Sequence, residues 1–250
     1  MAPNEARMSK VYLYKMTTDN GGAPCVYDGE LSLAICKPAI RTSAHPGDYI
    51  MGFAGNSLYK SNSNCLVYAA KVAHCLSGQK YYANDYKQRP DCIYRFLNGE
   101  YRWRSGAKFH GREDLGHDLG EPPNYARAKV LLVGEPSDFR YFRDSCPIDY
   151  KSRYKKLAKF IREMKQGHRT NLDENLRGDV LSLLSEVWST RQTLKDSDVP
   201  STPSPIRCSQ DEGETDCDCK GLTPMPLPEN GGSNNGVLTS QSQQILIPGN

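Results

Sequence analysis

An α+β fold is what this sequence predicts, on three observations. Short runs of β-branched, aromatic and aliphatic residues, separated by turn signals, fill the chain up to about residue 142. Two amphipathic helical patterns then follow one another to about residue 190. The order is strands first and helices last, which segregates the two kinds of element.

Taken in order, 11–16 is rich in Tyr and Val and reads as the first strand. Asp19-Asn20-Gly21-Gly22 breaks it and opens a loop through Pro24. The run 31–36 is short and apolar, limited by Pro38, and 39–44 is ambiguous. His45-Pro46-Gly47-Asp48 is a turn in which Asp48 is expected to hold backbone amides, and 49–53 is a strong strand. One long strand is expected over 65–76, with one or two helical turns over 79–87. The runs 92–96 and 101–103 flank Asn98-Gly99, the strongest short hairpin signal. The stretch 109–124 is polar, Gly-rich and His-bearing, and a connection of that length is often functional. Strand character returns at 128–133, and 138–142 follows as a turn or short strand.

Two helices close the domain as an expected helical hairpin. Asp149 caps the first, in which Tyr154, Leu157, Ala158, Ile161 and Met164 recur at helical spacing until Gly167 stops it. Asn171 with Glu174 makes a capping-box-like start to the second. Leu176, Val180, Leu183, Leu184 and Val187 form its apolar stripe.

Composition changes near Arg191. Beyond it the chain is almost all Ser, Pro, Gly, Asn, Gln and acid, the composition of a disordered tail. Residues 191–250 hold four of the 32 basic and eight of the 29 acidic residues, leaving 28 and 21 in 1–190. The expected map is a disordered 1–8, one folded domain over 9–190 at +7, and a disordered tail at −4. A body at +7 attracts polyanions. No apolar run approaches 18 residues, so no membrane span or membrane partner is expected. Nine cysteines with no leader ahead of them read as reduced thiols of a cytoplasmic protein. Cys217-Asp218-Cys219 lies in the acidic tail without a nearby His, and no metal is expected there.

Between 32 and 57 a strand stops at Lys37-Pro38, Arg41 follows, and the Gly47-Asp48 turn launches an apolar strand ending in Gly55-Asn56-Ser57. Such an end lets backbone amides and small side chains approach a ligand closely. Lys37 and Arg41 supply cations for a phosphate. The string Leu33-Ala34-Ile35-Cys36-Lys37-Pro38-Ala39-Ile40-Arg41, followed by Gly47-Asp48-Tyr49-Ile50-Met51-Gly52, resembles the opening of the nucleotide modification associated domain 2 family. Matching runs continue at Val67-Tyr68-Ala69-Ala70-Lys71-Val72, Tyr81-Tyr82, Val130-Leu131-Leu132, Phe139 and Tyr141-Phe142, so the likeness covers about 10–145. The order of elements is also similar to that of the EVE, ASCH and PUA-like barrels. This second likeness implies a small PUA-like β-barrel with peripheral helices. Together the resemblances imply a module that meets a modified base or nucleotide, stacked on an aromatic and read at its polar edge.

The expected nucleotide-binding set is Lys37, Arg41, Asn56, Ser57, Tyr82 and Trp103, the last two as stacking surfaces. Lys151, Lys155, Lys159 and Arg162 lie on the first C-terminal helix and form a candidate rail for a phosphate backbone, the plainer use being a solvated face. His110, His117 and Asp118 form the cluster with acid–base character, and their spacing is no standard metal pattern. Cys36 adjoins Lys37, but its apolar run favours burial, and no Ser-His-Asp or Cys-His order can be assembled from the sequence. There is no P-loop and no Gly-x-Gly-x-x-Gly, and no cofactor is expected.

Three function classes stay open. The first is a reader of a modified base or nucleotide, in DNA, RNA or free form. The second is an enzyme of nucleotide or DNA-base modification using His110 or His117 with Asp118. The third is a protein-interaction adaptor working through the tail. Convergence of His110, Asp118 and Lys37 on one cleft favours the enzyme, and an aromatic-lined cleft away from that loop favours the reader.

Overall fold

The computed structural model describes residues 7–83 and 86–190. The expectations for 1–6 and for the tail from 191 onward lie outside the described residues. Eleven strands and six α-helices occur among the described residues. The strands are β1 Val11–Met16, β2 Cys25–Tyr27, β3 Glu30–Leu33, β4 Tyr49–Ala54, β5 Leu66–Lys71, β6 His74–Ser77, β7 Tyr94–Leu97, β8 Glu100–Trp103, β9 Lys129–Val133, β10 Phe139–Tyr141 and β11 His168–Arg169. The helices are α1 Pro38–Ser43, α2 Gly78–Tyr81, α3 Leu115–Leu119, α4 Tyr150–Arg153, α5 Lys155–Glu163 and α6 Glu174–Ser189.

Two sheets face each other. One has the order β10-β5-β4-β1-β11, and the other β2-β3-β9-β6. β7 and β8 form a separate hairpin, with Asn98 and Gly99 both at positive φ as a tight primed turn requires. None of the described sheets closes, so the expected barrel is corrected to a mixed fold of stacked open sheets and helices. The alternation of side chains along each strand explains the stacking. In β1, Tyr12, Tyr14 and Met16 face the second sheet, while Val11 and Leu13 face the C-terminal helices. In β9, Leu131 and Val133 face the first sheet, while Val130 and Leu132 face a tyrosine-rich layer built by α2, the hairpin and the segment around α3. Every strand of the central pairs is therefore covered on both faces.

Close packing against the neighbouring strands of the same sheet, β5 and β1, explains Gly52 in β4. A Cβ there would stand 2.5 Å from the Tyr68 ring and 2.7 Å from the Met16 sulfur. Tyr68 in turn bonds Tyr14 through their hydroxyls at 3.0 Å and stacks on Tyr141.

The expected long strand over 65–76 is two strands. β5 belongs to the first sheet and β6 to the second. At the crossing, the Val72 N–H donates to the Asp48 carbonyl and the Ala73 N–H to the Leu132 carbonyl, one bond into each sheet. The sequence hides this change, because no Gly, Pro or other turn signal stands between Lys71 and His74 to mark the crossing. The ambiguous 39–44 is helical, with Pro38 at the first turn, where a missing N–H costs nothing. The first C-terminal helix breaks at Tyr154 into α4 and α5. α6 is capped by Asp173, whose carboxylate accepts the Leu176 N–H at 2.9 Å, and not by Asn171. Asp48 holds its turn as expected by accepting the Lys10 and His45 N–H groups. It also pairs at 2.6 Å with Arg7, which ties down a residue of the expected disordered 1–8. Among the described residues, no helix is long and apolar enough to cross a membrane.

Candidate active site

Beyond β3 the chain enters two consecutive left-handed residues, Cys36 at φ 55° and Lys37 at φ 44°, and then α1. Side chains disfavour this conformation, so something must hold it. Both polar backbone groups of Cys36 are clamped. Its N–H donates to Asp118 Oδ1 at 2.9 Å, and its carbonyl accepts from Arg41 Nε at 2.7 Å. Arg41 is fully buried and donates further to the carbonyls of Arg127 (2.8 Å), Lys129 (2.6 Å) and Asp118. One guanidinium thus joins the start of α1, the C-terminal half of α3 and the entry to β9.

His110 stands where these segments meet. Its Nε2 is 3.2 Å from the Cys36 sulfur, and its Nδ1 is 2.6 Å from Asp118 Oδ2. Trp103 at the end of β8 donates its indole N–H to the His110 carbonyl at 2.6 Å, fixing the backbone of that residue. The Tyr94 hydroxyl donates to Asp118 Oδ2 at 2.9 Å. Asp118 is completely buried, so each carboxylate oxygen needs such donors. Cys36, His110 and Asp118 therefore form a continuous hydrogen-bonded series.

The electrostatics follow from these bonds. The hydrogen bond to Asp118, and then the one to Cys36, raise the His110 imidazole to about 10 against the lowering effect of its partial burial. Burial opposes ionisation of Asp118, yet the bonds from His110, the Cys36 N–H and Tyr94 outweigh it and hold the carboxyl below its ordinary range. Burial pushes the Tyr94 phenol upward, which keeps it a donor. Near neutral pH, His110 thus carries a proton on both nitrogens. One is given to the carboxylate, and the other points at a sulfur that acts as acceptor.

The series opens on a cleft of about 70 Å³ lined by Cys36, Lys37, His110 and Phe109 on one side and by Met16, Thr17, Thr18 and Asn20 on the other. Lys37 Nζ lies 5.2 Å above the Tyr14 ring. Gly22 completes the rim, where a Cβ would stand 2.7 Å from the Phe109 ring. The loop after β1 is anchored by Asp19, whose carboxylate accepts the hydroxyls of Tyr59 and Tyr141.

Cys36 Sγ, a His110 nitrogen and an Asp118 oxygen lie within 4.8 Å of one another, close enough to suggest a metal. The donor set does not fit one. Nδ1 of His110 is occupied by Asp118, so an ion at Nε2 would find the carboxylate behind the imidazole and Cys36 as its other direct ligand. Two direct ligands fall short of the three or four that such sites use.

The structure sorts the expected site residues. Lys37 and His110 line the cleft with Asp118 buried behind the imidazole, and Cys36 joins them where burial inside a strand was expected. β3 ends at Leu33, before the cysteine, and Pro38 is the signal that could have shown it. Arg41 does not face an anion, because its guanidinium is engaged with four carbonyls inside the protein. Tyr82 is buried and donates to the Ala34 carbonyl at 3.0 Å, so its ring packs in the tyrosine layer and not on a base. Trp103 is half-buried and committed to His110, with Arg112 over its ring. Asn56 and Ser57 are exposed in the loop after β4 and do not line the cleft. His117 is exposed on α3 and also stands apart from it. Lys151 turns to Asn62 Oδ1 and the Ser63 carbonyl, while Lys155, Lys159 and Arg162 are exposed on α5. Tyr94 is a site residue that the sequence did not single out.

No curated protein and no solved structure matches the chain. The model of the nucleotide modification associated domain 2 family matches residues 8–199, more than half of the chain. That span contains the clamped cysteine, the histidine and the buried carboxylate, and the chain belongs to the nucleotide modification associated domain 2 family.

Proposed function

We propose that the protein is a cysteine-dependent acyl-transfer enzyme acting on a group carried by a nucleotide. Cys36 is the nucleophile, His110 the general acid–base, and Asp118 the residue that fixes the imidazole. The observation that carries this reading is the unbroken series from Cys36 Sγ through both His110 nitrogens to Asp118, opening on a cleft that also holds Lys37. A nucleophile, a base and an orienting group in that order define the nucleophilic triad wherever it occurs.

In the step this permits, the sulfur, its proton held on Nε2, attacks a carbonyl carbon, a C–S bond forms and the carbonyl electron pair moves to oxygen. Collapse expels an amine or alkoxide, which takes the proton from Nε2. Water or a second acceptor then gives its proton to Nε2 and attacks the thioester, releasing the acyl group and the thiolate. No oxidant or reductant is needed. The Lys37 ammonium supplies positive charge for a phosphate or a developing oxyanion. A cleft of about 70 Å³ suits a small substituent better than a base stacked between rings. The reader of modified bases is less well supported, since the two aromatics it needed, Tyr82 and Trp103, are engaged elsewhere. Family membership supplies the nucleotide context.

The test is incubation of the full chain with DNA bearing amide- or ester-linked base substituents and with plain DNA, followed by mass spectrometry of nucleosides and of the Cys36 peptide. Loss of the substituent and a transient acyl adduct on Cys36 are expected, with both absent in Cys36→Ala. Undiminished turnover in Cys36→Ala would falsify the assignment.

A further inference from the structure

The positive charge of the folded part is concentrated in one stretch. Residues 150–169 hold eight basic residues and a single acid, Glu163, while the rest of 1–190 holds 20 of each. Most of this charge sits on and beside α5. Leu157 and Ile161 face the core. On the opposite side Lys155, Lys159 and Arg162 follow at intervals of four and three residues, which places them in one stripe. All three are exposed, as are Lys156 and Lys165 beside them. Among the described residues none of these five belongs to an ion pair, whereas Arg153 on α4 is matched with Glu186 at 2.7 Å.

The end of the stripe is tied to the strand that leads into the cleft. Lys15 Nζ donates to the Arg162 carbonyl at 3.0 Å, at the last turn of α5. Lys15 is in β1, and the next three residues, Met16, Thr17 and Thr18, line the cleft. Consecutive Cα atoms are about 3.8 Å apart, so a single side chain and a few residues of backbone link the basic stripe to the cleft wall.

We propose that Lys155, Lys159, Arg162 and Lys15 form a track for a phosphate backbone, and that the substrate is a nucleic-acid strand and not a free nucleotide. At a rise of about 1.5 Å per residue the stripe covers about 10 Å, the length of roughly three phosphates of one strand. A mononucleotide offers its phosphates in one cluster and has no use for charge laid out over that distance. Flexible cations of this kind give affinity without sequence choice, which leaves selection to the cleft. The placing of a base substituent at Cys36 rests on the acyl-transfer reading, and strand binding by α5 does not.

The experiment is fluorescence anisotropy of the full chain with a labelled single-stranded 20-mer between 50 and 200 mM salt, competed by unlabelled mononucleotide and by anionic vesicles. The proteins are wild type, Cys36→Ala, and the triple variant Lys155→Glu, Lys159→Glu and Arg162→Glu, whose exposed positions leave the core untouched. Their folding is checked by circular dichroism. Wild type and Cys36→Ala are expected to bind alike. The triple variant is expected to lose at least tenfold affinity at 50 mM and to show a log–log salt slope shallower by about 2, from three contacts at about 0.7 each. The track is overturned by an unchanged slope in the folded triple variant, by equal competition from mononucleotide, or by preference for vesicles over the strand. Equal strand binding by wild type and Cys36→Ala, with no release of the substituent from amide- or ester-substituted DNA by either, sinks the acyl-transfer reading alone.

Discussion

His110 Nδ1 and Asp118 Oδ2 are 2.6 Å apart, and that contact joins a solvent-reachable imidazole to a carboxylate with no exposure at all. The pair sets the charge of the site. His110 is raised to about 10, so the folded protein holds a proton that the unfolded chain, at its ordinary value of about 6.5, gives up earlier. The stability this contributes is fully present below about pH 6.5 and is lost as pH rises through about 10. Asp118 is lowered, so its contribution is present at and above the ordinary carboxylate range and is lost in acid. Denaturant midpoints of wild type are expected to fall between pH 6.5 and 10. In Asp118→Asn that fall is expected to flatten, and an unflattened curve would show that the pair is not coupled.

Cys36 is expected to be the thiol of the described part that alkylates first. Cys25, Cys65 and Cys92 are buried, and burial raises all three thiols. Cys36 lines the cleft beside a protonated imidazole. Brief treatment with iodoacetamide, read by peptide mass spectrometry, should label Cys36 ahead of these three. His110→Ala should slow that labelling about tenfold while leaving the other sites as they were.

Arg41 is a positioning residue. Replacing it with Met would remove the guanidinium from the carbonyls of Cys36, Asp118 and Lys129, while that of Arg127 keeps the Lys129 N–H. At about 1–3 kcal/mol for each unsatisfied group, a loss on the order of 3 kcal/mol or more is expected in urea denaturation. Arg41→Lys separates position from charge, since one ammonium cannot reach four carbonyls. It should fold at reduced stability with kcat lowered more than KM raised, because Cys36 is no longer held. A purely structural Arg41 would leave kcat intact in the folded Lys variant.

Gly52→Ala tests the packing of β4 against its neighbours β5 and β1. The added methyl meets the Tyr68 ring and the Met16 sulfur at well under van der Waals distance. Overpacking of this kind costs about 1–3 kcal/mol. Met16 also lines the cleft, so a parallel fall in activity is expected alongside the lower midpoint. A variant as stable as wild type would mean that Tyr68 and Met16 shift aside without cost.

Chelation separates the triad from a metal centre built on the same atoms. Treatment of the full chain with an excess of a divalent-metal chelator should leave turnover and the Cys36 labelling rate unchanged. Loss of either, restored by adding back a divalent ion, would favour coordination by Cys36 and His110.

Local patterns made much of the fold legible. Tyr and Val at 11–16, the apolar run after Gly47-Asp48 and the Asn98-Gly99 turn all encode their elements within a few residues, and β1, β4 and the β7–β8 hairpin follow them. The family was legible too, because it rests on a string of residue types, and so was the Phe109-to-Asn124 stretch as a place for function. The split of 65–76 between two sheets was not, because the chain changes partners at Val72 and Ala73 with no turn residue to mark the place. Arg41 read as a free cation, since its four carbonyls come from segments up to 88 residues away. Cys36 read as core for the same kind of reason. Its histidine is 74 residues distant, and the two meet because Asp118 and Arg41 clamp the backbone at Cys36 while Trp103 holds His110 in place. Residue order encodes local geometry and family membership, whereas the site depends on long-range contacts that exist once the sheets and the tyrosine layer have packed.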